Sequence, residues 1–498
     1  MSLIKKLVSD TVVKPAVGAP HFDTTPSSNT ERHERPFADD SPRSQLAARI
    51  LFVNRSYWPD MEATGQLLTE LCESLATDDR YEISILCGQP NFPAGGAEFK
   101  NRGSQVHKNV VVRRTIHTLF DKSKFIGRAV NFISFCISAF FSLLLGPRPD
   151  VIVCQTDPPL SPIAACLVAC IRRTKFVCYL QDVYPDIAVE CGKVREGFFM
   201  KLLRKLLVWC YSRADKIIVV SNDMRDWLRD HRVDSSKVEV IHNWVDVEAI
   251  YPIKENNSFR AEHFFGPEKF VVMYSGNIGQ TQRFDVLLEA ADRLKDHEGI
   301  EFVFVGQGVK VESLKANVAS LGLDNIRIMP YQPKDRLAES LSAADIQVVL
   351  LDERMTRLMM PSKLYSALAS GTPVLGLGDP GSHLAEIIVD NGCGWFFSES
   401  QSDEIALEIQ QAAMAPELIR PIGKAARELA VTRFNRADAI NNFLQVISST
   451  IGRALPAANI EAEIEQSVSQ ELVYAEEPSG NAELATNHEP ALSQIKSP

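Results

Sequence analysis

The sequence predicts an α/β protein of two doubly wound, parallel-sheet domains facing a cleft, with disordered segments at both ends. Three observations carry this. From Ala48 to Leu377, apolar runs of strand length alternate with stretches whose apolar residues recur at helical spacing, the pattern of repeated β-α-β units. The strand carboxyl ends give way to glycine or polar residues, which is where open parallel sheets bind their ligands. A polar, aperiodic stretch after Ile241 interrupts the alternation, which starts afresh at Phe270.

Length and composition agree. At 498 residues, 45% hydrophobic and 23% charged, the chain has enough sequence for two packed cores. Its formal charge of −10 argues against a nucleic-acid surface. Much of that charge is local, because the tail 453–498 holds eight glutamates against Arg453 and Lys496. Nine of the ten cysteines lie between Cys72 and Cys210, in apolar runs and without a C-x-x-C pair. They read as buried thiols of a reducing cytoplasm, not as a zinc site or a disulfide framework. The N-terminus MSLIKKLVSD lacks an apolar segment followed by a small-residue cleavage site, which counts against secretion.

Residues 1–46, rich in Pro, Ser, Thr and charge, read as a disordered leader, and 453–498 as an acidic disordered tail. The first domain, 47–250, opens with a buried strand at Ala48–Asn54, a polar turn RSYWPDMEATG and a helix from Gln66 to Ala76. Gly65 at that turn would let a ligand approach the backbone. Strands follow at Tyr81–Cys87, Val110–Thr115, Val151–Gln155, Lys175–Leu180 and Lys216–Val220. The apolar stretch Ala129–Gly146 is at the lower limit for a membrane span, and also fits a buried crossover helix or a partly exposed one facing a membrane. Phe198–Ser212 sets Lys201, Arg204 and Lys205 beside leucines, a basic amphipathic helix suited to anionic lipid or simply to solvent.

The second domain, 251–430, repeats the scheme with strands at Phe270–Ser275, Glu301–Val305, Ile326–Met329, Ile346–Leu351 and Pro373–Leu377. Gly276-Asn277 and Gly306-Gln307-Gly308 follow the first two. In Ala344–Phe397, Ser362 stands where an N-cap would, Lys363 lies in the first turn of the next helix, and the turn Gly378–Ser382 opens a second helix at His383. Free N–H groups at two helix starts suit a diphosphate. A helix around Arg433–Ser449, within 431–452, comes after the second sheet is complete and could cross back to the first domain.

Dinucleotide oxidoreduction is disfavoured, because the first domain offers only Gly65 after its opening strand and the Gly276 and Gly306 turns do not complete G-x-G-x-x-G, and Ser hydrolase chemistry is disfavoured because no G-x-S-x-G occurs. What does occur, in order, is YWPDMEATG, YLQDVYPDIAV, VSNDM, VIHNWVD, YSGNIGQTQRFDVLLEA, FVFVGQG, PSKLYSALASGTPVL and NGCGWFF. In these the chain from about Ile50 to Ser449 resembles the family 4 glycosyltransferases of the GT-B fold, close to bacterial colanic acid, O-antigen and exopolysaccharide transferases.

The resemblance implies transfer of a sugar from a nucleotide diphosphate sugar to an acceptor hydroxyl, normally with retention and with no obligatory metal or other cofactor. It places Gly276 and Asn277 at the donor phosphates, Gly306 and Gly308 at the nucleotide, and Ser362 and Lys363 at the diphosphate. Gly381, Ser382 and Glu386 join the donor side, Gly65 would face the donor phosphate or the acceptor from across the cleft, Arg55 and Asn243 are candidates on the acceptor side, and Asp246 is a further cleft candidate. Three departures stand out. The family's paired glutamates fall on Leu358 and Ser366, leaving Ser366 a weaker hydroxyl contact to ribose. Its Arg and Lys after the first strand become Asn277 and Gln282, so Arg283 and Lys363 would carry the charge on the diphosphate. Its acceptor-side histidine becomes Gln181, which makes the neighbouring Asp182 the candidate for the acceptor-side polar or basic role, with an Asx-turn before Pro185 as its other use. The partners implied are a nucleotide-sugar donor and a polysaccharide or lipid-linked saccharide acceptor, at a cytoplasmic location that includes contact with the inner leaflet. A nucleotide-sugar 2-epimerase of the same fold is disfavoured by Gln181 and the missing acids; a non-catalytic nucleotide-sugar-binding partner is the reading from a different class.

Overall fold

The computed structural model describes residues 47–60, 62–90, 103–120, 125–263, 265–279 and 281–453. The expected leader 1–46 and the tail from 454 onward lie outside them.

The first domain runs β1 Ala48–Val53, α1 Ala63–Leu75, β2 Tyr81–Cys87, β3 Ser104–His107, β4 Val110–Arg114, α2 Phe125–Leu145, β5 Val151–Gln155, α3 Ser161–Arg172, β6 Lys175–Leu180, α4 Asp186–Glu190, α5 Phe198–Arg213, β7 Lys216–Val219, α6 Asn222–Asp230 and β8 Val238–Val240. Its sheet has the order β3-β4-β2-β1-β5-β6-β7-β8. Only the β3–β4 pair is antiparallel. Every residue of β5 is buried, as expected of a central parallel strand covered on both faces. The edge strand β3 is exposed and polar, so it carries little apolar signal; its turn is Lys108-Asn109, both at positive φ, the geometry of a two-residue hairpin. Helix α1 starts at Ala63, three residues before the expected Gln66.

The second domain runs α7 Ser258–Glu262, β9 Phe270–Ser275, α8 Asp285–Arg293, β10 Ile300–Val305, α9 Val311–Leu321, β11 Ile326–Met329, α10 Leu337–Ser342, β12 Ile346–Leu350, α11 Lys363–Ala369, β13 Val374–Leu377, α12 His383–Asp390, β14 Gly394–Phe397 and α13 Ser402–Met414. Its sheet, order β11-β10-β9-β12-β13-β14, is parallel throughout. In both sheets the strand order reverses once, between β1 and β5 and between β9 and β12. Ligand crevices of open α/β sheets form at the carboxyl ends beside such a reversal.

The helix expected around Arg433–Ser449 is α15 Arg436–Ile451, separated by a break from the preceding α14 Pro416–Arg433. The break falls at Asn435, whose side chain caps α15 by accepting a bond from the Asp438 N–H at 2.9 Å. Helix α15 returns to the first domain. Phe443, fully buried, packs edge-on against Tyr179 of β6 at 4.9 Å, and Tyr81 shares a hydrogen bond with Ser448. A single apolar cluster joins the first sheet to Met355, Leu358, Leu364 and Tyr365 of the second domain. The linker between the sheets is pinned by Lys254, which donates to the carbonyls of Ser342 and Ala344, and by Arg427, which donates to those of Val247 and Ile250.

Candidate active site

On the second domain the site is built around a crossing of glycine backbones. The loops after β9 and β10 lie directly on each other: Gly276 N–H donates to Val305 at 2.8 Å and Ile278 N–H to Gln307 at 2.8 Å. A Cβ on Gly306 would overlap the Gly276 carbonyl, and one on Gly308 the Ile278 carbonyl. Gly276 has φ +140, and a Cβ there would overlap the Lys363 side chain. The glycines therefore make room for Lys363 at the carboxyl end of β9. Its Nζ sits 4.8 Å from the centroid of the Tyr274 ring, while the Tyr274 hydroxyl donates to the Asn277 carbonyl at 2.7 Å. Among the described residues no carboxylate pairs with this lysine, and burial pushes its pKa down to about 8. A half-buried ammonium facing a ring and no anion is a ready partner for one.

Arg283 stands farther out, half-exposed and held by Glu399 at 2.6 Å. Ser362 lies at the start of α11 in helical backbone geometry and its side chain makes no capping bond, contrary to the N-cap reading, because an N-cap side chain needs extended backbone to reach back. Ser366 donates to the Lys363 carbonyl at 3.1 Å, so its hydroxyl has only acceptor capacity left for a ribose. Leu358 is buried and its carbonyl accepts from Val183 N–H at 2.8 Å, across the domains.

That bond belongs to an antiparallel bridge between Asp182 and Met359. It brings the Asp182 loop of the first domain to the segment that leads into Lys363. Asp182 lines a pocket of about 180 Å³ at the carboxyl ends of β5 and β6, together with Glu62, Thr64, Gln155, Thr156 and Asp157. Phe132 of α2 and Tyr184 form its aromatic walls. Burial, and then the charge of Asp157, push the Asp182 carboxyl up to about 6. Arg55 lies buried behind two of these carboxylates, its guanidinium within 3.1 Å of Asp157 and 3.2 Å of Glu62. It neutralises carboxylates of the wall and is not free to hold an anion.

Several expected site residues have other tasks. Gly65 is buried, and a Cβ there would press on Ser56. It serves the packing of α1 on the loop after β1, not the approach of a ligand. Asn243 and Gln181 exchange amide hydrogen bonds at 3.0 and 3.1 Å, a closed buried pair. Asp246 accepts from the N–H groups of Glu248 and Ala249 and pairs with Arg436. The start of α12 is closed as well: Ser382 Oγ accepts from Ala385 N–H at 3.2 Å, and Asp223 of α6 accepts from His383 N–H at 2.9 Å. Gly381 N–H is held by Asp379 at 2.9 Å, and Glu386 is exposed one turn on. The second phosphate grip expected at this turn is thus filled by protein carboxylate and hydroxyl, the groups that complement a helix N-terminus. The pocket residues missed in the sequence, Glu62, Gln155, Thr156, Asp157 and Tyr184, had one signal: Gln155-Thr156-Asp157 directly follows the buried strand beside the sheet's reversal.

Family models match the chain as Glycosyltransferase Family 4 over residues 64–249 and as Glycosyl transferases group 1 over residues 255–429. The chain belongs to the family 4 glycosyltransferases. It is 29% identical over 252 residues to the glycosyltransferase WbjE of Pseudomonas aeruginosa, a match that covers 50% of this chain and 62% of that protein. It is 24% identical over 412 residues to the protein of Escherichia coli named for colanic acid biosynthesis, the glycosyl transferase WcaI, covering 80% of this chain and 99% of that one. Among solved structures, that of HepE from Anabaena in complex with UDP and glucose aligns over 81% of this chain and 100% of its own, with a TM-score of 0.62 at 15% identity. The fold of this glycosyltransferase is GT-B.

Proposed function

We propose that this glycosyltransferase moves a sugar from a nucleotide diphosphate sugar to an acceptor hydroxyl with retention at the anomeric carbon, building a cell-surface polysaccharide on a lipid-linked acceptor. The observation that carries the reading is the Lys363 ammonium, packed over Tyr274 where the glycine backbones cross and, among the described residues, without a carboxylate against it. Charge that develops on the departing diphosphate needs preorganised cations and N–H groups more than it needs a nucleophile. Lys363 supplies that charge in this reading, which asks for no metal. Asp182, on the loop bridged to Met359, positions the acceptor hydroxyl from the other wall. HepE, solved with UDP and glucose, and WcaI, named for colanic acid, support the donor class and the polysaccharide.

The lipid-linked acceptor and the inner leaflet rest on α2. This crossover helix buries Phe135, Cys136, Ala139 and Leu143, contributes Phe132 to the pocket wall, and leaves a stripe of Ile126, Val130, Ile133, Ile137, Phe141 and Leu145 exposed. One helix thus joins the acceptor pocket to a surface suited to lipid.

A thermal-shift series with nucleoside diphosphates tests the donor assignment, because a ligand of the folded state raises Tm with occupancy. One of UDP, GDP, ADP or dTDP should raise the Tm of the full chain. Lys363→Ala should abolish that shift and lower sugar transfer by about tenfold or more. Unchanged transfer in Lys363→Ala removes the residue from the mechanism.

A further inference from the structure

We propose that Gln155 selects the acceptor, and that the ring it selects is an uncharged sugar presenting two adjacent hydroxyls to the Asp182 pocket. The inference rests on the acceptor reading of that pocket. Gln155 ends β5, is 1% exposed, and among the described residues neither its amide oxygen nor its amide nitrogen has a hydrogen-bond partner. Buried polar groups are nearly always paired, and an unpaired one costs stability. A side chain left so at the wall of a pocket, on the last residue of a strand beside the sheet's reversal, is explained by a partner that arrives with the ligand.

The amide holds an acceptor and a donor side by side in one plane. Two neighbouring hydroxyls on a sugar ring match it, one donating to Oε1 and the other accepting from Nε2. The rest of the wall fits the same guest. Thr64 and Thr156 add hydroxyls, and Phe132 and Tyr184 add aromatic rings of the kind that pack on the C–H faces of a sugar.

The charge of the pocket decides between sugars. Glu62, Asp157 and Asp182 place three carboxylates on it, against one buried guanidinium, Arg55, already shared between two of them. Arg128 is the other cation whose charge reaches the wall, at Tyr184. Carboxylates accept from sugar hydroxyls but repel a uronate or a phosphate brought among them.

The test uses the full chain without donor and measures binding of methyl glucoside, methyl galactoside, methyl mannoside and methyl glucuronoside by ligand-observed NMR. At least one neutral glycoside should bind, and the glucuronoside should bind about tenfold or more weakly. Gln155→Leu should weaken the neutral glycoside by about tenfold, raise Tm because an unpaired buried amide is gone, and leave the affinity for nucleoside diphosphate unchanged. Equal sugar binding by Gln155→Leu, equal binding of the glucuronoside, or no binding of any neutral glycoside each overturns the proposal. Should Gln155→Leu fail to fold, the comparison of neutral and charged glycosides on the unmodified chain still decides. Failure of the transferase reading is read separately, as loss of nucleoside diphosphate binding by the unmodified chain.

Discussion

Asp182 belongs to the first domain and Lys363 to the second, and burial moves both toward neutrality. For Asp182, a pKa near 6 lies above the ordinary 3.8, so between about 4 and 6 the folded state binds more protons than the unfolded chain. Its contribution to stability falls as the pH rises across that window. Asp182→Asn is therefore expected to match or exceed the unmodified chain in stability at pH 7 while losing transfer. In the unmodified chain, transfer should rise with a midpoint near 6 if the carboxylate is the working form; a profile in which Asp182→Asn keeps that rising limb would assign it to another group. For Lys363 the sign is opposite. Its pKa near 8 lies below the ordinary 10.5, so the destabilising effect of its buried charge is present at neutral pH and relieved as the pH rises from about 8 to 10.5. Lys363 was legible from its place beside Pro361 and Ser362. The absence of a nearby carboxylate was not, since it depends on which loops the fold brings to the end of β9.

At the scale of elements, α2 and α12 show where periodicity suffices and where it fails. The apolar length of α2 was plain in the sequence, and its 20-residue segment Ile126–Leu145 is apolar enough by composition to cross a membrane. Only 28% of that segment's most apolar window is buried, because one face packs beside α3 while, among the described residues, the opposite face is left exposed. Replacing Ile133 and Ile137, which are 48% and 55% exposed, by glutamate should leave Tm nearly unchanged and abolish flotation with anionic vesicles. Retained flotation would move the lipid surface elsewhere, with the exposed Phe198, Phe199 and Leu202 of α5 as the next place to look. For α12, a glycine-rich turn opening a helix looked like an anion site. Asp223 occupies its N-terminus from a position 160 residues earlier, and no local pattern announces that.

At the scale of the molecule, the two sheets are tied by parts of the chain that lie far apart in sequence. The final helix α15 packs on the first domain, so the second domain is enclosed between two visits to the first. Phe443→Ala removes a fully buried ring from that junction, and a loss of about 3–5 kcal/mol in urea unfolding is expected. A loss below about 1 kcal/mol would mean that α15 adds little to the body it lies on.

The sequence by itself determined the two α/β domains, most strand positions, the break between the sheets and the family, because these rest on local apolar periodicity and on short motifs read in order. The glycine-rich loops after β9 and β10 were legible for the same reason: a strand end followed by glycine is a local event. Only the tertiary structure decided which polar groups remain available. Arg55, Asn243 and Asp246 looked like cleft residues but are consumed by partners: Asp157 lies 102 positions from Arg55, Gln181 lies 62 from Asn243, and Arg436 pairs with Asp246. Gln155, an ordinary strand-terminal glutamine in the sequence, is left without any among the described residues. Hydrogen-bond capacity is settled by neighbours in space, so availability for a ligand is a property of the folded chain.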